Sequence, residues 1–189
     1  MTDEQFKIKL DKELNNLADK FVILLNTDPE YYFDSVAETV KVMTDRGMTG
    51  IYVTSARPYG YIVQRFKEYN INTQNLFFID LISCMAGKRA GEEGNCIFIE
   101  NPVSLDEIEM WINTLMKRND AKNKFLIVDS LSSLLIYNRP LSLKKFTELL
   151  VNYLRRYGVN GIFTTIDSEK HEVFQEEMDI ILYDKTINI

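Results

Sequence analysis

The segment Phe125-Leu-Ile-Val-Asp129-Ser130 is an apolar run of four residues that ends abruptly in an acid and a hydroxyl. A short, continuous apolar run favours a strand covered on both faces, as the strands of parallel sheets are. A carboxylate at the end of such a strand is how a Walker B element holds magnesium, directly or through water. Because aspartate is also a common turn former and helix cap, the segment alone leaves both interpretations open.

The alternation of apolar strand and amphipathic helix continues outward from this segment in both directions. The predicted strands are 21–25, 50–54, 76–79, 97–99, 125–128, 161–165 and 180–183. The predicted helices are 3–19, one that follows Asn26-Thr-Asp-Pro-Glu30 and ends at Arg46, then 59–69, 104–118, 142–157 and 169–176. Buried strands joined by helical crossovers predict an α/β fold, a three-layer and mostly parallel sheet with helices on both faces.

Length and composition fit one domain over residues 1–189, in which helix 3–19 precedes the core. Hydrophobic residues make up 46% and charged residues 26% of the chain, as in globular proteins. Its apolar runs are far shorter than the roughly 20 residues of a membrane span, and its N-terminus is unlike a signal peptide. We therefore expect a cytoplasmic protein outside the membrane. The glycine-rich stretch 87–95 is predicted to be an exposed, mobile loop.

Cysteine usage and charge argue against two further classes of protein. Two cysteines, Cys84 and Cys96, and one histidine, His171, are too few for a structural zinc site. A net charge of −6 opposes binding to nucleic acid phosphates. The densest basic clusters are interpreted as solvated helix faces; they are Lys117-Arg118 with Lys122 and Lys124, and Lys144-Lys145 with Arg155-Arg156. No metal, cofactor or nucleic acid partner is expected.

Polar residues at the carboxyl ends of the strands are the candidate site, because ligands of open α/β sheets bind there. The candidate ligand-binding residues are Asn26, Asp28, Ser55, Arg57, Asp80, Asp129, Ser130 and Thr165. Arg57 is expected either to pair with Asp80 or to meet an anion. The aromatic residues 31–33 are interpreted as core and rim. No nucleophile and base pair assembles around His171, so no catalytic residue is predicted.

The order of elements and four segments resemble the RecA/KaiC-like ATPase superfamily, especially its archaeal members with degenerate nucleotide sites. The segments are GMTGIYVTSARP (47–58), LFFID (76–80), FLIVDSLSSL (125–134) and GVNGIFTT (158–165). The resemblance covers residues 20–184 in element order, and Asp129-Ser-Leu-Ser132 is its distinctive part. It implies a RecA-like sheet with a nucleotide site where the first strand ends.

The phosphate-binding turn of that family is missing from the sequence. An active member carries GxxxxGK[ST] after the first strand, whose amides and lysine hold phosphate. This chain has Asn26-Thr-Asp-Pro-Glu-Tyr-Tyr-Phe-Asp34 there, with no glycine and no lysine before Lys41. The resemblance also implies water-activating glutamates after the second strand, where this chain has Thr54-Ser55-Ala56. The sequence therefore predicts a pseudo-ATPase that lacks Walker A.

Two functions follow from these observations. The first is a non-catalytic regulatory, sensory or scaffolding module that binds a protein partner or a second copy of itself, with a small-molecule ligand as a further option. Loop 87–95 or the first helix is the expected contact in that case. The alternative is an unconventional metal-dependent nucleotide-binding protein or ATPase, in which Asp28, Asp80 and Asp129 bind magnesium. A thermal shift in magnesium alone that is lost on Asp129→Asn would favour the alternative.

Overall fold

The fold is built on a mostly parallel β-sheet. The computed structural model describes residues 3–166 and 183–189. The strands in these ranges are β1 (Val22–Thr27), β2 (Thr49–Thr54), β3 (Leu76–Asp80), β4 (Gly91–Glu93), β5 (Cys96–Phe98), β6 (Lys124–Asp129), β7 (Asn160–Ile166) and β8 (Lys185–Asn188). The α-helices are α1 (Asp3–Asn15), α2 (Tyr32–Asp45), α3 (Tyr59–Glu68), α4 (Leu105–Arg118), α5 (Leu131–Tyr137) and α6 (Pro140–Tyr157). Of the helices in these two ranges, none is both long and apolar enough to cross a lipid bilayer.

The strands lie in the order β4-β5-β3-β2-β6-β7-β1-β8. Every neighbouring pair is parallel except β4 with β5, which is antiparallel. The α/β fold predicted from the sequence is confirmed. Strands β3, β2, β6, β7 and β1 end side by side along one edge of the sheet, which we call the carboxyl edge. The opposite edge, where these strands begin and the helices end, is the amino edge.

Helices cover both faces of the sheet, and each face has its own apolar core. One core joins α1, α2 and α3 to the sheet; its buried members include Leu10, Val40, Phe66, Ile23 and Ile127. The other joins α4, α5 and α6 to the sheet; its buried members include Ile112, Leu134, Leu150, Val53 and Val128. Because side chains alternate along a strand, neighbours such as Ile127 and Val128 enter opposite cores.

Three elements differ from the sequence-based expectation. The stretch 87–95 is exposed as predicted, but it contains β4, which pairs with β5 and turns the loop into a hairpin. Helix α5 follows Ser130 directly, where no separate helix was predicted. Strand β8 extends along β1 and was also not predicted.

The other differences concern helix ends and residues beyond the described ranges. Helix α1 ends at Asn15 rather than at residue 19, and α2 begins at Tyr32, after a turn, rather than directly behind Pro29. The predicted helix 169–176, which includes His171, and residues 180–182 of the predicted strand 180–183 lie outside the described residues.

Gly50 lets β2 and β6 pack closely at the centre of the sheet. A Cβ atom at this position would lie 2.3 Å from Cζ of Phe125 and 2.7 Å from Cδ2 of Leu76. Both of these side chains are fully buried, so neither has room to move aside. Gly60, in the first turn of α3, has no such neighbour within 4 Å.

We predict that Gly50→Ala lowers the free energy of unfolding by about 1–3 kcal/mol, because overpacking forces buried side chains out of their rotamers. The matched change Gly60→Ala should leave it unchanged or raise it by up to about 1 kcal/mol, since alanine favours a helix. Urea denaturation of both variants measures the difference. Equal stability of the two variants would contradict the packing described for β2.

Candidate functional site

Asp129, the last residue of β6, is fully buried, and its carboxylate accepts hydrogen bonds from two tyrosine hydroxyls. Tyr32 donates to Oδ1 and Tyr52 donates to Oδ2. Both tyrosines are buried as well. We call these three residues the Asp–Tyr cluster. Each carboxylate oxygen has a hydroxyl partner, and neither oxygen is open to solvent.

The two tyrosines reach Asp129 from different elements. Thr54 of β2 lies opposite Asp129 in the register of β2 and β6, so Tyr52, two residues earlier, is on the same face of the sheet. Its long ring spans the distance to the strand end. Tyr32 is the first residue of α2 and lies close to the sheet because only the turn 28–31 separates α2 from β1.

The main-chain amides of that turn already donate hydrogen bonds within the protein. The amide of Asp28 donates to the carbonyl of Ile189 at 2.8 Å. Glu30 N donates to Oδ1 of Asp28 at 2.9 Å, and Tyr31 N donates to its carbonyl at 3.0 Å. Pro29 has no N–H to offer. The side chains of Asp28 and Glu30 are exposed, so the turn presents carboxylates rather than amides to a ligand.

Burial dominates the protonation equilibria of the Asp–Tyr cluster. It raises the pKa of Asp129 above the ordinary value of a carboxyl group, while the hydrogen bonds from Tyr32 and Tyr52 and the charge of Arg57 lower it in part. Burial first, and then the charge of Asp129, raise the pKa of Tyr32 and of Tyr52 well above the ordinary value of a phenol. Both tyrosines therefore remain protonated donors at neutral pH. The hydroxyl of Thr164 lies 2.9 Å from that of Tyr32 and extends the cluster to β7.

Arg57 is held by aromatic rings rather than by a carboxylate. Its guanidinium carbon lies 5.4 Å from the ring centroid of Tyr32 and 5.3 Å from that of Phe33. Nη1 is buried and has no acceptor among residues 3–166 and 183–189. The arginine is half-buried, so it stands at the carboxyl edge as a fixed cation next to the Asp–Tyr cluster.

The predicted pair between Arg57 and Asp80 is wrong. Asp80 is fully buried at the end of β3, where its carboxylate accepts four hydrogen bonds from nearby groups. The donors are Tyr59 N, Ile82 N, Ser83 N and the Ser83 hydroxyl, at 2.6–2.8 Å. These bonds fix the start of α3 and the turn after β3. Asp80 therefore has a structural role and no capacity left for a ligand.

Ser55 and Ser130 connect the ends of β2 and β6. The amide of Ser55 donates to the carbonyl of Asp129 at 2.7 Å, and Ser130 N donates to the Ser55 hydroxyl at 2.9 Å. The peptide bond between Asp129 and Ser130 is cis. The Ser130 hydroxyl caps α5 by accepting from Ser133 N at 3.1 Å. Both serines lie next to Asp129; the Ser55 hydroxyl bonds to main chain, and the Ser130 hydroxyl also lies 3.0 Å from that of Ser133.

The remaining candidates lie at the ends of β7 and β1. Thr165 donates to Oδ1 of Asn26 at 3.1 Å, and Nδ2 of Asn26 donates to Asn188 in β8 at 3.2 Å. The eight predicted residues thus form three separate groups along the carboxyl edge. One surrounds Asp129 with Arg57, one is Asp80 alone, and one joins Asn26, Thr165 and the nearby Asp28.

The three carboxylates of the metal hypothesis do not converge. Strand β2 lies between Asp80 and Asp129, and β7 lies between Asp129 and the strand that leads to Asp28. Two strand spacings amount to about 10 Å, too far for three carboxylates to share one cation. Over the described part of the chain, no three His, Cys, Asp or Glu side chains are grouped so that they could hold a metal ion.

Sequence reasoning did not identify the two tyrosines. Tyr32 was interpreted as a core or rim aromatic, and Tyr52 was regarded only as part of an apolar strand. A signal for Tyr52 exists in the sequence: a hydroxyl two residues before the end of a buried strand, next to a strand that ends in aspartate, needs a polar partner. The position of Tyr32 depends on where the turn 28–31 places the start of α2 relative to the sheet. The sequence does not specify that placement.

Comparison with known proteins identifies the fold. No protein-family model and no curated protein matches the chain. The structure is similar to that of an uncharacterized protein from Pyrococcus horikoshii in complex with an unknown peptide, with 12% identity and a TM-score of 0.68 over 96% of this chain and 82% of that one. It is also similar to a KaiC-like protein from the same archaeon, with 16% identity and a TM-score of 0.64 over 89% and 70%. The chain therefore has a RecA/KaiC-like fold.

We predict that Tyr52→Phe lowers the free energy of unfolding by about 2 kcal/mol at neutral pH, because a buried charged acceptor loses a donor. The hydrogen bond lowers the pKa of Asp129, so its removal raises that pKa further above the value in the unfolded chain. The folded state then binds a proton more readily, and the penalty shrinks as the pH falls towards the ordinary range of aspartate.

Tyr69→Phe is the matched control, because Tyr69 donates to Asp34 in a partly exposed site. It should cost less than about 1 kcal/mol, since water replaces the lost donor. Denaturation of both variants at several pH values provides the comparison. A Tyr52→Phe penalty that is the same at acid and neutral pH would show that Asp129 is not ionised beside Tyr52.

Proposed function

We propose that this chain is a non-catalytic RecA/KaiC-like module that does not hydrolyse ATP and acts by binding, in a regulatory, sensory or scaffolding role in the cytoplasm. The observation that carries this proposal is the Asp–Tyr cluster. The aspartate at the Walker B position has both oxygens bonded to tyrosine hydroxyls in a buried environment. Magnesium prefers oxygen ligands in nearly octahedral geometry and keeps several waters, and a carboxylate enclosed by phenols offers no room for them.

The turn after β1 supports the same proposal. A polyphosphate bound in the usual way needs several free amides and an ammonium group at this position. Here the amides of Asp28, Glu30 and Tyr31 are already bonded, and two exposed carboxylates face outward. Each carboxylate close to a phosphate would oppose binding by about 1 kcal/mol or more in a partly solvated site. The proposal is therefore a pseudo-ATPase in which the phosphate cradle and the metal ligand are both unusable.

The binding role is proposed to use the carboxyl edge at Arg57. A half-buried arginine whose guanidinium lies against two rings loses little entropy when its remaining N–H groups bind a carboxylate, an anion that the planar guanidinium suits. The similar Pyrococcus horikoshii protein has a peptide in its structure, which supports a peptide or protein partner for this fold. We propose an acidic segment of a protein partner as the ligand of Arg57.

The alternative, a metal-dependent ATPase that uses strand-end carboxylates, receives no support from the geometry. It requires Asp28, Asp80 and Asp129 to act together on one ion. Asp80 has four hydrogen bonds of its own, Asp129 has two, and strands lie between them.

We expect no ATP hydrolysis and no ATP binding. Phosphate release with Mg²⁺ and ATP should equal that of the buffer, and the unfolding temperature should not change when Mg²⁺ and ATP are added. The variant Asp129→Asn should behave like the wild type in both assays, which serves as the control for trace contaminating ATPase. Turnover that is lost on Asp129→Asn would refute the pseudo-ATPase proposal.

Peptides selected on the wild-type protein from a random displayed library should be enriched in acidic residues. Their affinity for Arg57→Gln, measured by calorimetry, should fall about tenfold or more, as is typical when one member of a charged hydrogen bond is removed. Arg156→Gln, the same substitution at an exposed arginine in the last turn of α6, should have no effect. Equal loss in both variants would contradict the role of Arg57.

A further inference from the structure

One of the two basic clusters in the sequence lies at the amino edge. Lys117 lies in the last turn of α4, Lys122 lies in the loop that follows, and Lys124 begins β6. All three line one cavity of about 200 Å³, together with Tyr153 and Tyr157 from the end of α6. We propose that this amino-edge cavity binds a small organic anion that carries a flat ring, with its phosphate or carboxylate group among the lysines and its ring against the tyrosines.

The positive charge of the cavity has no counter-ion within the described chain. Among those residues, none of the three lysines forms an ion pair, and no residue that lines the cavity is an acid. Lys124 donates to the carbonyl of Met116 at 3.0 Å, which leaves two of its three N–H groups for a ligand. The protein has 28 acids and 22 lysines and arginines, so acids are available in excess to pair with cations. Three lysines without an acidic partner around one cavity therefore stand out.

Helix dipoles explain only part of this arrangement. A cation in the last turn of a helix is favourable, which accounts for Lys117 in α4. Lys122 and Lys124 lie beyond that helix, so the dipole gives no reason for them to converge on the same cavity. The neighbouring basic residues, in contrast, have partners: Arg118 pairs with Glu92 and Arg155 pairs with Asp184.

The tyrosines supply a surface for a ring. The ring centroids of Tyr153 and Tyr157 lie 4.6 Å apart with an angle of 44° between the planes. Tyr157 is 60% exposed, and the guanidinium carbon of Arg156 lies 5.8 Å from its ring centroid, so the ring is open to a ligand next to a further cation. Burial raises the pKa of Tyr153, so its phenol stays neutral and does not repel an anion.

The size of the cavity limits the ligand. Pockets for drug-sized molecules measure about 300–1,000 Å³, so a volume near 200 Å³ suits a single ring with its anionic group. The cavity is at the edge of the sheet opposite the Asp–Tyr cluster, and its failure as a site would leave the proposed function unaffected.

Phenyl phosphate, benzoate, inorganic phosphate and phenol are the probes, each added to the full chain up to millimolar concentrations. Shifts in the amide NMR resonances of Gly158 and Val159 report binding at the cavity. Phenyl phosphate or benzoate should bind more tightly than inorganic phosphate or phenol, because only the first two combine charge with a ring; the stronger of the two identifies the anionic group. Added salt should weaken the binding, since exposed charges are screened.

The variants Lys122→Gln and Tyr157→Ala should each weaken binding of the preferred probe by about threefold to fivefold, as expected for one partly exposed contact. Both side chains are exposed, so the fold should tolerate these changes. Lys145→Gln is the matched control, on the same helix but about 18 Å from Tyr157 along its axis. Absence of binding by both ring anions, or an equal effect of Lys122→Gln and Lys145→Gln, would overturn the proposal.

Discussion

The buried carboxylate of Asp129 is the constraint on which the centre of this structure depends. An ionised carboxylate taken out of water is costly unless it is bonded by protein groups. Here that requirement is met by Tyr32 and Tyr52, one from the start of α2 and one from β2. Meeting it joins the end of β6 to β2 and to the start of α2. Both oxygens of the carboxylate at the end of β6 are thereby bonded to phenols.

The two edges of the sheet differ in how their polar groups are used. At the carboxyl edge, Asp80 accepts hydrogen bonds from four nearby donors, and Ser55 bonds to the end of β6. Arg57 is the cation held there by rings rather than by an acid. At the amino edge, three lysines from the end of α4, the following loop and the start of β6 line a cavity without acids in its lining. We propose that binding uses both edges, with Arg57 at one and the three lysines at the other.

Much of the fold was predictable because its strands are continuous apolar runs that alternate with long amphipathic helices. Elements too short to show a period were missed: β4 has three residues, β8 has four and α5 has seven. The site was predictable only in part. Asp129, Ser130 and Ser55 do meet, since the ends of adjacent parallel strands meet. The predicted pair of Arg57 with Asp80 was wrong because the Asp80 carboxylate accepts its hydrogen bonds from nearby groups instead. Contacts such as that of Tyr32 with Asp129 depend on the tertiary structure, which no local sequence pattern specifies.

The most direct test of this account is the carboxyl ¹³C resonance of Asp129, followed by NMR during a pH titration and then during addition of Mn²⁺ with ATP. The account predicts that Asp129 titrates above the ordinary range of aspartate, because burial raises its pKa. It also predicts that paramagnetic Mn²⁺ leaves the resonance sharp, since the two phenols exclude the metal. Titration in the ordinary range, together with broadening by Mn²⁺ and ATP, would contradict the closed Asp–Tyr cluster and the function proposed from it.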